Sequence, residues 1–208
     1  MRRAKPGAAE ASANALRAPG RPRSEAARRA VLDAAYAILL ETGLASFSIE
    51  SVALRSGVSR PTIYRWWPAK GLLAVDSFLD AFRPQLAYRC SNDAAADLHA
   101  LVASLARALA GPAGRVAASV MAQAQSDPET RLLFLQQFSE PLRQESANLL
   151  RGGVEQGQFR ADLDIPRLLD AAVGAIYMRL LLGQSLEPAW ARDLTDTLLK
   201  GCLPATRL

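Results

Sequence analysis

Residues 56–70, SGVSRPTIYRWWPAK, carry the side chains in this sequence that are best suited to contact a polyanion. The stretch holds two arginines, a lysine, a tyrosine and two adjacent tryptophans, and it holds no acid. Guanidinium groups and hydroxyls donate hydrogen bonds to phosphate oxygens and base edges, whereas a carboxylate would repel phosphate. The stretch therefore predicts a surface that binds nucleic acid.

The charge of the whole chain supports this prediction. Residues 1–70 contain 12 Lys and Arg against 5 Asp and Glu, a net charge of +7. Residues 71–208 contain 13 against 15, a net charge of −2. Such asymmetry indicates a basic part that meets nucleic acid or a membrane, next to a nearly neutral remainder. A solvated basic tail without a partner is the alternative.

The basic stretch belongs to a predicted helix-turn-helix over residues 48–67. Ser48 is expected to cap the first helix, Ala53 is small enough for a close helix crossing, and Gly57 can adopt the positive φ of a tight turn. A small core is expected to form from Ile38, Leu39, Ile49, Val52, Val58, Ile63 and Trp67.

The second helix of this motif is predicted to have two different faces. Ser59 would cap it and Pro68 would end it, while Ile63 and Trp67, four residues apart, point inward. Pro61 is compatible with the first turn, where backbone N–H groups have no helical partner. The outer face consists of Arg60, Pro61, Thr62, Tyr64 and Arg65. One helix of this size fits the major groove of DNA.

The rest of the chain predicts an all-α fold. A helix capped by Ser24 runs to Gly43, and residues 1–23 are predicted to be disordered. After the helix-turn-helix, the pattern predicts helices at about 69–83, 93–110, 114–125, from 127–129 to 152 or 157, from 165 and from 188. No strand alternation is evident, so about nine helices are expected.

Residues 20–73 resemble the tetracycline-repressor (TetR) family of bacterial transcription regulators. The matching features are Gly43, Ser48, Gly57-Val58-Ser59, Thr62-Ile63-Tyr64, the aromatic pair Trp66-Trp67 and Lys70. The resemblance implies an N-terminal three-helix DNA-binding domain and a C-terminal helical domain for effector binding and dimerisation. The corresponding division is a basic arm at 1–23, a DNA-binding domain at 24–84 with its helix-turn-helix at 48–67, and a helical body at 85–208.

The resemblance also implies which residues contact double-stranded DNA. They are Arg21, Arg23, Ser48, Ser59, Arg60, Pro61, Thr62, Tyr64, Arg65, Trp66 and Lys70. Ser48, Tyr64 and Lys70 would bind phosphates, and the residues from Arg60 to Thr62 would lie nearest the base edges. Arg65 would reach a phosphate or a guanine.

Two parts of this implied interface differ from the rest. The arm residues Arg21 and Arg23 would enter an adjacent minor groove. At Trp66 the family usually has Tyr or His, and because an indole donates one hydrogen bond but accepts none, its role is left open.

The C-terminal body offers candidates for the other two tasks of the family. The last two helices are expected to form a homodimer, because the segment AAVGAIYMRLLLG is apolar on more than one face. An ordinary monomer core is the alternative. The candidate pocket residues for an unknown small-molecule effector are His99, Met121, Gln125, Phe134, Phe138, Tyr177 and Arg179. For these residues plain core packing is the alternative.

The predicted function is a ligand-responsive transcriptional regulator, specifically a repressor that binds a palindromic operator as a homodimer. The alternative is a constitutive DNA-binding adaptor without an effector. An enzyme is not expected, because the sequence has one His, two scattered Cys and no catalytic, Walker or Rossmann motif. No cofactor, metal or membrane partner is predicted, and a cytoplasmic location is expected because neither a secretory signal nor a membrane-length apolar run is present.

Overall fold

The computed structural model describes residues 21–86 and 91–203, and side chains from residue 24 onward within those ranges. The described residues form α1 (Arg21–Thr42), α2 (Ile49–Ser56), α3 (Arg60–Trp66), α4 (Lys70–Phe82), α5 (Ala94–Ala110), α6 (Pro112–Ser126), α7 (Pro128–Phe134), α8 (Glu140–Glu155), α9 (Ile165–Leu181) and α10 (Pro188–Leu199). A short 3₁₀ helix, Arg83–Gln85, follows α4. No strand occurs within these ranges, so the all-α prediction is confirmed.

Helices α7 and α8 are parts of one long helix. The π-helical segment Leu135–Ser139 connects them without a break, so the described residues contain nine continuous helices, as expected. Asp127 begins this helix by accepting a hydrogen bond from the Glu129 N–H at 3.1 Å. The segment is five residues long, about one π turn, and such a turn interrupts the regular i→i−4 ladder.

Aspartate side chains begin two further helices of the body, α5 and α9. Asp93 accepts hydrogen bonds from the N–H groups of Ala95 and Ala96 at the start of α5. Asp164 does the same for Arg167 at the start of α9. These carboxylates satisfy amides that have no partner inside the helix, which explains why the helices begin where they do.

The start of α1 differs from the prediction. The helix begins at Arg21, so Ser24 lies inside the first turn and is not its N-cap. Pro22, the second residue of α1, is an alternative start signal because its fixed φ suits the first turn of a helix. The predicted disorder of residues 1–23 is therefore wrong for 21–23, and residues 1–20 lie outside the described residues.

Helix α4 is the element shared by the two halves of the chain. It packs against α1 on one side and against α7 on the other. Its residues Leu73, Phe78 and Phe82 are fully buried. The predicted boundary between 84 and 85 falls within the 3₁₀ helix, and it stays a prediction.

Within residues 21–86 and 91–203, none of the helices combines the length and the apolar character that a bilayer crossing requires.

Candidate nucleic-acid interface

Ser48 caps α2 as predicted. Its backbone is extended, and its Oγ accepts a hydrogen bond from the Ser51 N–H at 3.1 Å. The Ser51 Oγ in turn donates a hydrogen bond to the Ser48 carbonyl at 2.8 Å. The two serines thus stabilise the first turn of α2, with Ser51 at the position where Glu or Gln usually completes a capping box.

Gly57 makes the turn between α2 and α3. Its φ is +70°, and its N–H donates to the Ala53 carbonyl at 3.0 Å. A Cβ at this position would meet nothing within 4 Å, so the glycine is required by the backbone conformation alone. This turn was predicted from the sequence.

The inner face of α3 holds the motif together. Ile63 is fully buried and Trp67 is nearly so, as the i, i+4 spacing predicted. The Trp67 indole Nε1 donates to Asp76 Oδ2 of α4 at 2.8 Å. The Arg28 guanidinium of α1 lies 5.5 Å from the centre of the Trp67 ring. The orientation of α3 is therefore fixed by both α1 and α4.

The outer face of α3 is open to solvent. Arg60, Pro61, Tyr64 and Arg65 are exposed, and Thr62 is half-buried. Together they present guanidinium and hydroxyl donors on one convex helix, the shape that enters a major groove.

Ser59 occupies the N-cap position of α3, but its hydroxyl makes no capping hydrogen bond to the backbone. It lies 2.9 Å from the Thr62 Oγ1 instead. The predicted capping bond is therefore wrong in its partner, although the position is right.

Arg60 has a partner that the sequence reasoning missed. Its Nη1 donates to the Glu50 Oε1 of α2 at 3.0 Å. Both side chains are exposed. The two residues are ten apart, and the turn at Gly57 brings them together, so helical periodicity gave no signal for this pair.

Trp66 packs against Trp67 in an edge-to-face arrangement, with ring centres 5.7 Å apart and an angle of 89° between the rings. The ring is half-buried. Such a geometry is favourable for aromatic pairs, so packing accounts for part of the Trp66 surface.

Lys70 is exposed at the first residue of α4. It stands where the positive end of the helix dipole and its own ammonium would act on the same anion. The side chains of Arg21 and Arg23 lie outside the described residues.

The body contains an internal cavity of about 60 Å³ between α5, α8 and α9. Leu101, Leu105, Leu169 and Ile176 are among its apolar lining residues. A typical site for an organic ligand is larger, about 300–1,000 Å³.

Four side chains with polar atoms line the cavity: Ser139, Arg143, Ser146 and Tyr177. Arg143 forms an ion pair with the exposed Asp170 and donates to the Pro166 carbonyl. The Arg143 guanidinium lowers the pKa of Asp170 mainly through their hydrogen bond. Burial raises the pKa of Tyr177. Its neutral hydroxyl can donate a hydrogen bond.

Of the seven predicted pocket residues, only Phe138 and Tyr177 line this cavity. His99 pairs with Asp196 on another surface, Gln125 is exposed, and Met121 is half-buried on α6. These three residues do not line the cavity, because the faces of α5 and α6 that carry them turn away from it.

Phe134 and Arg179 also lie outside the cavity lining. Arg179 stacks on Trp190, 4.7 Å from the ring centre, and donates to the Ser185 carbonyl. Phe134 is buried against Phe138, with ring centres 5.0 Å apart. Arg179 therefore joins α9 to α10, and Phe134 belongs to the aromatic core.

An aromatic cluster connects the cavity with α4. The ring centre of Phe138 lies 5.5 Å from that of Phe78 and 5.4 Å from that of Phe82. Phe138 lies in the π-helical segment, where the carbonyl of Gln137 accepts a hydrogen bond from Arg83 at 2.9 Å. The wall of the cavity and the helix that supports α3 are thus in direct contact.

Metal-binding side chains do not cluster in the part of the chain that the structure describes. No group of three or more His, Cys, Asp or Glu residues there could hold an ion.

Comparisons with known proteins match both halves of the chain. The family model "Bacterial regulatory proteins, tetR family" matches residues 31–75. The model "Tetracyclin repressor-like, C-terminal domain" matches residues 91–198.

Individual relatives agree. A Bacillus subtilis (strain 168) protein described as an uncharacterized HTH-type transcriptional regulator, YdeS, is 33% identical over 183 residues, 88% of this chain and 92% of that protein. The crystal structure of the TetR family transcription regulator SCO0332 is 36% identical, with a TM-score of 0.72, over 86% of this chain and 99% of that one. The DNA-binding transcriptional repressor TetR of Mycobacteroides abscessus is 28% identical over 185 residues, 85% of this chain and 94% of that protein.

The fold and the exposed face of α3 define a helix-turn-helix DNA-binding protein. The chain belongs to the TetR family of bacterial transcriptional regulators. Proteins of this family are transcriptional regulators and not enzymes.

Proposed function

We propose that the chain is a homodimeric repressor that binds a palindromic operator and is released by a small apolar effector. The observation that carries the proposal is the contact of Phe138 with both the cavity and α4. It joins a candidate effector site to the helix that orients α3. The Mycobacteroides abscessus relative is described as a repressor, which supports repression over activation.

The proposed DNA contacts divide by function. Arg60, Pro61 and Thr62 lie at the start of α3 and face the base edges, while Arg65 reaches a phosphate or a guanine. The contacts that position the protein on phosphates come from Ser48, Tyr64 and Lys70. Ser59 and Trp66 belong to the same interface, and neither is assigned a particular DNA contact. Arg21 and Arg23 reach the neighbouring minor groove.

Homodimerisation is proposed through α9 and α10, with the exposed face of α9 at its centre. Gly174, Met178, Leu181 and Leu182 follow one another along this face, and all are exposed. Small and large apolar side chains spaced three or four residues apart suit close packing against the same helix of a second copy. The stacking of Arg179 on Trp190 is consistent with α10 as the second helix of each pair.

The effector proposed for the cavity is a small, mostly apolar molecule with a hydrogen-bond acceptor for Tyr177. Aliphatic side chains make up most of the lining, and the neighbouring Arg143 already has a carboxylate partner in Asp170. Because the cavity is small, about 60 Å³, the effector has to widen it. Displacing Phe138 is the direct way to do so, and it would shift α4 and with it α3.

The test combines two measurements on the full chain. A thermal-shift screen of small apolar molecules identifies those that raise Tm, and each is then titrated into the complex with an operator fragment. We expect a stabilising molecule to weaken DNA binding at least tenfold, a typical allosteric coupling. In Val173→Phe, which adds bulk at the cavity wall, the same molecule should lose both effects while DNA binding stays as in the native chain.

The small cavity volume favours a second candidate, a constitutive DNA-binding adaptor without an effector. This protein would bind its operator with the same affinity in the presence of every molecule tested. Val173→Phe would bind DNA like the native chain under either candidate, so the titrations with small molecules distinguish the two.

A further inference from the structure

We infer that Glu50 is a positioning residue that holds the Arg60 guanidinium for reading a base and limits its attraction to phosphate. The inference rests on the proposed role of Arg60 at the base edges. It adds a residue of α2 to the determinants of sequence specificity.

The geometry of the pair comes first. Glu50 is the second residue of α2 and Arg60 is the first residue of α3, and their Oε1 and Nη1 atoms are 3.0 Å apart. Val52 and Ile63, both fully buried, fix the two helices relative to each other. The two helices therefore keep the carboxylate within hydrogen-bonding reach of the guanidinium.

The donors of arginine explain how the pair can read a base. A guanidinium has five N–H donors in a rigid fork, and the bond to Glu50 leaves the donors on Nε and Nη2 available. Two parallel donors are what the O6 and N7 atoms of guanine require in the major groove. An arginine that is already restrained also loses less rotamer freedom on binding than a free one.

The charge of the pair explains why Glu50 would raise sequence specificity and lower overall affinity for DNA. The exposed Glu50 carboxylate compensates the charge of Arg60, so the pair attracts phosphates less than a lone arginine does. The guanine contact depends on directed hydrogen bonds and is less affected. Removing the carboxylate should strengthen binding to any sequence and weaken the preference for one, which is a trade between affinity and discrimination.

The chain contains a matched control pair. Arg55 Nη1 donates to Glu41 Oε2 at 2.7 Å, and both side chains are exposed. Glu41 lies on α1 and pairs with a residue of α2 that precedes the turn. Glu41→Gln therefore removes the same charge from the same domain without touching α3.

The experiment measures base preference and affinity separately. The native chain and the variants Glu50→Gln, Glu41→Gln, Arg60→Ala and Glu50→Gln/Arg60→Ala are each used to select from a randomised DNA duplex library. Affinities for the native-selected palindrome, for single-base changes of it and for an unrelated duplex are then measured at low and moderate salt. Thermal unfolding of each variant confirms that it is folded.

We expect the native chain to prefer guanine at one position per half-site by about tenfold, as for one good bidentate contact. Glu50→Gln replaces a charged acceptor with a weaker neutral one, so Arg60 is held less firmly. The variant should reduce the guanine preference by about threefold or more and strengthen binding to the unrelated duplex, an increase that shrinks with salt. Glu41→Gln should leave the preference unchanged. The double variant should match Arg60→Ala, because Glu50 acts through Arg60.

Three results would overturn the inference. First, Glu50→Gln could keep the native guanine preference while Arg60→Ala loses it. That result would remove the role of Glu50 and leave the proposed function intact. Second, an equal loss of guanine preference in Glu41→Gln and Glu50→Gln would show that the effect comes from the net charge of the domain. If Arg60→Ala weakens all sequences equally, Arg60 is a phosphate contact, and its base-reading role fails together with that of Glu50.

Discussion

At the scale of single residues, Trp67 determines how α3 is presented. Its ring is buried, its N–H bonds Asp76, and Arg28 covers its face. Arg28 and Asp76 are themselves 3.7 Å apart. Three helices therefore meet at one side chain, and a change in any of them alters the position of the exposed face of α3.

This arrangement predicts the effect of substitutions at Asp76. Asp76→Ala leaves the indole N–H of Trp67 without its acceptor and should lower the free energy of unfolding by about 1–2 kcal/mol. Asp76→Asn retains an acceptor and loses only the charge near Arg28, so it should cost about half as much. Urea denaturation of both variants checks this, and equal losses would mean that the indole hydrogen bond contributes nothing.

Tyr177 predicts a pH dependence. Burial raises the pKa of its hydroxyl in the folded chain, whereas a tyrosine in the unfolded chain ionises near pH ~10. Above that pH the unfolded state loses its proton more readily, so the stability contribution of the neutral hydroxyl is present below about pH 10 and is lost as pH rises further. Urea denaturation at pH 8 and pH 11 should show a smaller loss for Tyr177→Phe than for the native chain. An identical loss in both would contradict the burial of this hydroxyl.

At the scale of helices, two adjacent glycines of α8 have opposite surroundings. A Cβ on Gly153 would lie 2.4 Å from the Cβ of Ala94 and 3.0 Å from the Phe159 ring. A Cβ on Gly152 would meet nothing within 4 Å. The close approach of α8 to the start of α5 thus depends on one of these glycines and not on the other.

The two glycines give a matched pair of substitutions. Gly152→Ala should stabilise the chain by about 0.5–1 kcal/mol, because alanine is the better helix former. Gly153→Ala should destabilise it by about 1–3 kcal/mol through overpacking. Denaturant midpoints measure both, and a destabilised Gly152→Ala would show that the neighbourhood of Gly152 is less open than described.

Most helices could be predicted from the sequence because their starts and ends are local. Ser48, Asp127 and Gly57 act on backbone groups within three or four residues, and such short-range signals can be read in one dimension. The start of α1 was misplaced because Ser24 and Pro22 are both plausible start signals, and only the folded chain distinguishes them.

The cavity and the Glu50–Arg60 pair could not be predicted in the same way. The sequence suggested Tyr177 and Phe138, which line the cavity, and equally His99 and Gln125, which do not. Residue type does not say which helix face turns toward the space between α5, α8 and α9. The positions of these faces follow from tertiary packing between residues far apart in the chain.

At the scale of the whole molecule, the exposed face of α9 predicts the oligomeric state. Met178→Glu places a charge in the proposed dimer interface, and it should convert the dimer to a monomer. Leu132→Glu is the control, because Leu132 on α7 is 54% exposed and Met178 is 59% exposed. Analytical ultracentrifugation measures the mass of each variant, and a dimer that survives Met178→Glu would place the interface elsewhere.

Palindromic recognition depends on that dimer, since two copies of α3 must reach half-sites one helical turn apart, about 34–36 Å. The most direct test is selection of fragments from the organism's own genome by the native chain and by Arg60→Ala. We expect the native chain to enrich a shared palindrome with this spacing and Arg60→Ala to lose base preference within it. Enrichment by the native chain of fragments that share no motif would contradict sequence-specific recognition through α3.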